Sequence, residues 1–501
     1  MIFRDWLKEL DYTLLQGSVD VETEDVIYDS RKAAPGKVFV AMKGIRVDGH
    51  SFIPQVLKAG VRVLVTERPV EEELKNSGLS EEELKQVTVV MVEEGRHALA
   101  LLSAARFDHP AKKLVMIGVT GTKGKTTTTH MIRAILLAAG KKVGMIGTTG
   151  TVIGDVVTPT LNTTPESYEL HQAFAQMVEA GCEYAVMEVS SQGIKMHRTD
   201  GLYFNYAIFT NISPDHIGPG EHADFEEYLY YKTRLLNMCG IGLVNKDDKH
   251  APQIIQAANC ELYTYSEESK EADFVASDIR YVSQPDFVGT EFHISGKYDM
   301  EVRLGIPGLF NVVNALAAVS VCSFLGLDQA RISHALENIR VNGRMEIVYT
   351  SERCTVLVDY AHNAVSMESL LSTLRDYKPK RLVCVFGCGG NRSKDRRYSM
   401  GEIGGKMADL SIITADNSRY EKVEDIIADI RGSIEKTGGK FIEIPDRREA
   451  IRYSILHAQP GDMVAVIGKG HEDYQEINGV RHHFLDREVI EETVKELGEK
   501  A

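Results

Sequence analysis

Short apolar runs separated by amphipathic stretches recur along nearly the whole chain. Leu114-Val115-Met116-Ile117, Tyr184-Ala185-Val186-Met187-Glu188-Val189 and Tyr206-Ala207-Ile208-Phe209-Thr210 are apolar at successive positions, the pattern of strands buried on both faces of a parallel sheet. Earlier, 38–42 and 61–65 read as strands around a short helix at 53–60, and the charged stretch 71–85 reads as a solvated helix and loop. Arg106-Phe107-Asp108-His109-Pro110 reads as a linker. Residues 130–137 read as a helix, and 261–304 look antiparallel. From about 343 a third set of strands appears at 355–358, 381–386, 410–413 and 463–467. Strands alternating with helices imply right-handed crossovers and doubly wound sheets, with ligands at the carboxyl ends of the strands. The predicted class is α/β in three domains: a smaller N-terminal α/β domain over 1–110, a central doubly wound domain over 111–342, and a Rossmann-like C-terminal domain over 343–501.

Bulk numbers narrow the function. A length of 501 residues fits about three domains of roughly 150 residues. A formal net charge of −15 argues against a nucleic-acid partner, which needs a basic stripe. The seven cysteines (182, 239, 260, 322, 354, 384 and 388) lack zinc-knuckle or redox spacing and read as reduced, cytosolic thiols. Residues 1–10 start as an amphipathic helix with no signal-peptide core. The apolar stretch 312–327 is interrupted by Asn314, Ser320 and Ser323, so it reads as a core helix rather than a membrane span. A cytoplasmic protein with no membrane contact is expected.

The sharpest local signal is Gly118-Val119-Thr120-Gly121-Thr122-Lys123-Gly124-Lys125-Thr126-Thr127, directly after an apolar strand and opening a helix. Such a turn points backbone N–H groups inward around phosphate oxygens, and the helix N-terminus adds positive potential. Lys125 suits the outer phosphates, and Thr126 is placed to hold Mg²⁺. Counting five back from Gly124 gives Val119, so the motif is the short variant 121–127. An ordinary glycine turn is the plain alternative; Gly-Lys-Thr in a strand–loop–helix context favours a nucleoside-triphosphate user. Glu188, at the end of a buried strand, can face this loop and share the Mg²⁺.

Gly-Thr-Lys-Gly-Lys-Thr-Thr resembles the ATP loop of the Mur ligases, the amide-forming enzymes of peptidoglycan precursor synthesis. The resemblance covers essentially the whole chain, with motifs in the family's order. It implies that Gly121, Thr122, Lys123, Gly124, Lys125, Thr126 and Thr127 bind ATP. It implies adenine contact from Asn311 and Asn314, and further ATP contact from Arg344 and Asp359. Glu188 resembles the metal-binding glutamate of a Glu-Val-Ser-Ser motif, with Gln192 where relatives usually carry histidine. His216 resembles a second metal ligand, and Lys232 resembles a carbamylated lysine, an oxygen ligand made from an amine. Lys125, Glu188, His216 and Lys232 are thereby implied to be catalytic, with Thr126, Glu188, His216 and Lys232 around the metal. Asn162, Thr163 and Thr164 resemble the loop that contacts the muramoyl-dipeptide. Ser190 and Arg198 match two further contacts, with Met196 where glutamine is frequent. Tyr28-Asp29-Ser30-Arg31-Lys32 resembles the uridine-diphosphate segment, which adds Ser30. After Asp359-Tyr360-Ala361-His362 the family usually continues Thr-Pro, whereas this chain has Asn363-Ala364.

Three loops follow three strands of the last domain and carry Arg392; Asp416, Asn417, Ser418 and Arg419; and Gly468 and Glu472. Two arginines, two carboxylates and free backbone groups on one rim suit a zwitterionic amino acid. The set resembles that of the diaminopimelate-specific members, whose signature is Asp-Asn-Pro-Arg; Ser418 stands in the proline position. The implied reaction is ATP-dependent ligation of a diamino acid to UDP-N-acetylmuramoyl-dipeptide through an acyl phosphate, with Mg²⁺, by a monomer. Three alternatives stay open: a sister ligase adding lysine or another amino acid, a folylpolyglutamate-type ligase, and a small-molecule kinase or regulatory ATPase.

Overall fold

A computed structural model describes residues 1–44, 47–215, 217–218 and 220–498. Backbone contacts divide the chain into two compact units, one of Met1–Tyr265 and one beginning at Ser266.

The first unit holds two sheets. The smaller runs Thr13–Gln16, Thr88–Met91, Val63–Thr66, Lys37–Val40, Asp25–Ile27 in spatial order, all parallel except its first pair. Val63–Thr66 is buried at every position, as an unbroken apolar run requires of a strand covered on both faces. One face packs Phe3, Trp6 and the helix Gly95–Arg106; the other packs Ile53, Val56 and Leu57. The larger sheet orders six parallel strands as Glu261–Ser266, Cys239–Asn245, Phe204–Phe209, Val115–Thr120, Tyr184–Glu188, Val143–Gly147. The antiparallel strands Gly150–Ile153 and Val156–Thr158 extend its edge. Val115–Thr120 lies between Tyr184–Glu188 and Phe204–Phe209, which reach it from opposite sides. That reversal of strand order opens a crevice beyond the carboxyl ends.

The second unit begins with the antiparallel strands Phe274–Gln284, Phe287–Gly296 and Met300–Leu304. The buried helix Leu309–Phe324 follows. A six-stranded sheet then runs Glu346–Thr350, Cys354–Asp359, Asp462–Ile467, Arg381–Phe386, Leu410–Ile413, Phe441–Glu443, antiparallel only at its first pair.

Three expectations change in detail. The helix expected at the start is one turn, Phe3–Trp6, beyond which Leu7 and Leu10 are buried without continuing it. The charged stretch 71–85 forms two one-turn helices, the second closed by a Ser80–Glu83 capping box. The segment 261–304 is antiparallel only from Phe274 onward. Glu261–Ser266 pairs in parallel with Cys239–Asn245 because the helix Ala251–Ala257 makes a crossover between them.

Candidate active site

In the first unit the strand Val115–Thr120 delivers the glycine loop to the helix Lys125–Ala138. Gly121 has φ +145°, and a Cβ there would stand 1.9 Å from Thr210 Oγ1, so only glycine fits the turn. Gly124, at φ +86°, is the helix N-cap, and no side chain caps that helix end. This is the terminus that phosphate oxygens occupy in glycine-loop proteins. The loop is braced from the neighbouring strand end. Thr122 N–H and Lys123 N–H donate to Asn211 O and Oδ1 at 2.9 Å each, and Thr210 Oγ1 donates to Lys123 O at 2.6 Å. Lys125 Nζ folds back onto Gly121 O at 2.8 Å and Thr122 O at 3.1 Å.

Glu188 meets this loop as expected. It is 1% exposed. Thr126 Oγ1 donates to its two oxygens at 3.0 and 3.1 Å, and Thr148 N–H donates at 2.9 Å. No Lys or Arg among the described residues pairs with it. A buried carboxylate beside a threonine hydroxyl and a phosphate cradle is an all-oxygen donor set, which fits Mg²⁺. His216 lies outside the described residues.

Lys232, at the end of the helix Phe225–Thr233, is brought to the same loop. Its Nζ donates to Gly121 O at 2.8 Å and lies 4.6 Å over the Tyr228 ring. Burial, reinforced by the charge of Lys125, holds its ammonium pKa well below the ordinary lysine value.

The substrate-loop residues divide. Thr164 is fully buried; its hydroxyl donates to Glu188 O and accepts from Ser190 N–H, both at 3.0 Å. Ser190 Oγ caps the helix Ser191–Lys195. Arg198 already holds Thr164 O at 3.0 Å and Glu166 at 2.7 Å. Expected as a ligand partner, it is also an internal brace of this loop. Thr163 Oγ1 lies 3.0 Å from Thr148 Oγ1, while Asn162 is exposed. Ser30 sits in a one-turn helix capped by Asp29, and no hydrogen bond joins it to these residues.

In the second unit Asn311 and Asn314 are buried at the start of the helix Leu309–Phe324, linked side chain to side chain at 3.2 Å. Asp359 accepts from Met345 N–H at 2.8 Å; burial raises its pKa against that bond and the nearby Arg344. The Arg344 guanidinium lies 4.9 Å over the Tyr360 ring.

The three loops expected to hold an amino acid lie together. A Cβ on Gly468 would stand 2.8 Å from Asp416 Oδ2. Asn417 Nδ2 donates to Glu472 Oε2 at 3.0 Å. Arg419, at φ +51°, donates to Gly390 O at 2.8 Å, with Glu476 at 3.5 Å. Ser418 is buried, and Arg392 is exposed with no hydrogen bond or ion pair to the described residues. Sequence reasoning passed over Lys469. It is fully buried and donates to Asn417 Oδ1, Glu472 Oε2 and Tyr474 O. Its signal was its place between two glycines in an assigned motif. Thr148 was also passed over and carried no comparable signal.

Three family models match the chain: the Mur ligase family catalytic domain over 23–107, the Mur ligase middle domain over 119–322, and the Mur ligase glutamate ligase domain over 343–470. The chain belongs to the Mur ligase family. Members are ATP-dependent ligases, and this Mur ligase is an enzyme of that class. It is similar to the UDP-N-acetylmuramoyl-L-alanyl-D-glutamate–2,6-diaminopimelate ligases of Caldanaerobacter subterraneus subsp. tengcongensis and Clostridium perfringens. They are 39% and 37% identical over 498 residues, covering 98% of this chain and 98–99% of theirs. A solved structure of an enzyme of that name aligns with a TM-score of 0.72 at 30% identity, over 95% of this Mur ligase and 96% of that chain. A Mycobacterium tuberculosis folylpolyglutamate synthase shares the fold over 74% of this chain and 92% of its own, with a TM-score of 0.57 at 18% identity. No described helix is long and apolar enough to cross a membrane.

Proposed function

We propose that this Mur ligase adds meso-2,6-diaminopimelate to UDP-N-acetylmuramoyl-L-alanyl-D-glutamate in the cytoplasm, as a monomer, during peptidoglycan precursor synthesis. The proposed domains are 1–110 for the uridine nucleotide, 111–342 for ATP and 343–501 for the amino acid. The γ-phosphoryl of ATP moves to the D-glutamyl γ-carboxylate, giving ADP and an acyl phosphate. The amine attacks the acyl carbon, loses a proton, and phosphate leaves as the amide forms.

In the first unit the glycine loop binds the phosphates and Lys125 places a cation at the transferring group. Thr126, Glu188, His216 and a carbamylated Lys232 would hold Mg²⁺, which neutralises phosphate charge when bound. Asn162, Thr163, Thr164, Ser190, Arg198 and Ser30 take the nucleotide dipeptide. Asn311, Asn314, Arg344 and Asp359 are the further proposed ATP contacts.

The observation that carries the amino-acid assignment is the convergence of the three strand-end loops on Asp416, Asn417, Arg419 and Glu472. Diaminopimelate differs from lysine by a distal carboxylate. A guanidinium held on a fixed backbone pairs with that carboxylate and faces lysine's ammonium unfavourably. Charged hydrogen bonds are worth about 1.5–3 kcal/mol, roughly ten- to a hundredfold in specificity constant. Phosphate release and product mass are to be measured with the nucleotide dipeptide and each amino acid, on wild type and Arg419→Ala. The expected result is preference for diaminopimelate that collapses in the variant. Preference for lysine, or equal loss of both substrates, overturns the assignment; phosphate release independent of any amino acid overturns ligation.

A further inference from the structure

Away from the glycine loop, three metal-ligating side chains from two distant segments of the first unit meet. His97 lies in the first turn of the helix Gly95–Arg106; His197 and Asp200 lie in the turn after the helix Ser191–Lys195. His97 Nδ1 and His197 Nδ1 stand 2.6 and 2.8 Å from one atom, Asp200 Oδ2. All three ligand atoms lie within 4.8 Å of one another, and the imidazoles cross edge-on with centroids 6.4 Å apart.

Ligand bonds of about 2.0–2.1 Å in a tetrahedral shell put donor atoms roughly 3.3 Å apart, so each histidine–aspartate pair would need to open by under about 1 Å, and the two imidazole nitrogens, within 4.8 Å of each other, to close by at most about 1.5 Å. The side chains are 44%, 39% and 23% exposed, so a hydrated cation can reach them and keep water in its remaining positions. Two neighbouring charges are already engaged: Arg96 faces Glu166 at 3.6 Å, and Glu94 accepts from His97 N–H at 2.8 Å. Two imidazoles and one carboxylate are the donor set of zinc-type ions, whereas Mg²⁺ prefers oxygen alone.

We propose that His97, His197 and Asp200 form a site for one first-row divalent ion of the zinc type, separate from the Mg²⁺ residues. Arg198, next to His197, holds Thr164 O and Glu166. The ion would therefore tie the helix Gly95–Arg106 to the turn that braces the substrate loop. This inference does not rest on which amino acid is ligated.

The test uses the full chain, stripped with a chelator and then kept in excess Mg²⁺ to fill oxygen sites, titrated with Zn²⁺ and separately with Co²⁺. The expected result is uptake of one equivalent, with the visible absorption of imidazole-bound Co²⁺. His97→Ala and Asp200→Asn should each weaken uptake at least tenfold. Zn²⁺ should raise the unfolding temperature of wild type and leave that of His97→Ala unmoved. His97→Ala should keep its circular dichroism and its turnover in zinc-free buffer. No uptake in excess Mg²⁺, or uptake that neither substitution changes, overturns the proposal.

Discussion

Lys232 is an amine taken out of water: 2% exposed, beside the Tyr228 ring, within reach of Gly121 O. Burial favours its neutral form, and a neutral amine is the form that adds CO₂ to become a carbamate. The depressed pKa and the proposed modification therefore point the same way. Lys232→Ala should lose about 10²–10³ in turnover, the usual scale for one preorganised electrostatic group. Acetate or formate should restore part of it by supplying oxygens in the vacated space. Wild type should lose activity in CO₂-depleted buffer and regain it with bicarbonate. An alanine variant with normal turnover, or an enzyme indifferent to bicarbonate, removes carbamylation from the mechanism. At this scale the sequence was most legible where backbone need is written into it: Gly121 and Gly124 could be read because backbone at φ +145° and +86° admits few residues but glycine. Thr148 could not, because its contact with Glu188 exists only once two strands lie side by side.

The strand ends of the second unit are positioned by an element the motifs do not contain. Arg447, fully buried at the start of the helix Arg447–Leu456, pairs with Asp486 at 2.7 Å and donates to Ala415 O at 3.2 Å and Ile467 O at 3.0 Å. Those carbonyls immediately precede Asp416 and Gly468, so one guanidinium ties two of the three amino-acid loops. Removing one partner of a buried pair leaves a charge unpaired and costs about 3–5 kcal/mol, whereas replacing both with apolar groups is often neutral. Arg447→Met should lower the urea midpoint strongly. Adding Asp486→Leu should recover most of that loss while KM for the amino acid stays raised, because the two carbonyls remain untied. A double variant no more stable than the single one, or one with wild-type KM, contradicts this role. The central strands of the larger sheet of the first unit and of the six-stranded sheet were legible as unbroken apolar runs. The hairpin Tyr474–Ile477 with Val480–His483 was not: it is mostly exposed and polar, and its place is set by bonds such as Arg419 N–H to Glu476 O at 3.0 Å. The parallel pairing of Glu261–Ser266 was missed because a half-buried strand with alternating polar positions looks alike in either direction.

At the scale of the whole first unit, one buried group ties folding to acidity. His171, on the helix Ser167–Glu179, is 2% exposed, and neither ring nitrogen has a hydrogen-bond partner among the described residues. Desolvation lowers its pKa from 6.5 to about 3. The folded state thus keeps His171 neutral where the unfolded chain takes up a proton, so stability rises with pH between those values and falls as pH drops from 6.5 toward 3. The slope from this residue is at most about 1.4 kcal/mol per pH unit. Carboxylates dominate below about pH 5, so the informative window is pH 5–7. His197 acts in the opposite sense: its bond to Asp200 raises its pKa, so its contribution is lost as pH rises. Trp6, the single tryptophan, is buried in the same unit and reports its unfolding. His171→Leu replaces an unpartnered polar ring with an apolar side chain, which removes the buried polar cost. Urea unfolding followed by Trp6 fluorescence should show a more stable variant whose midpoint falls less between pH 7 and pH 5 than that of wild type. Equal slopes in the two proteins would mean that His171 reaches solvent or a partner in solution, and that the acid sensitivity of this unit comes from other groups.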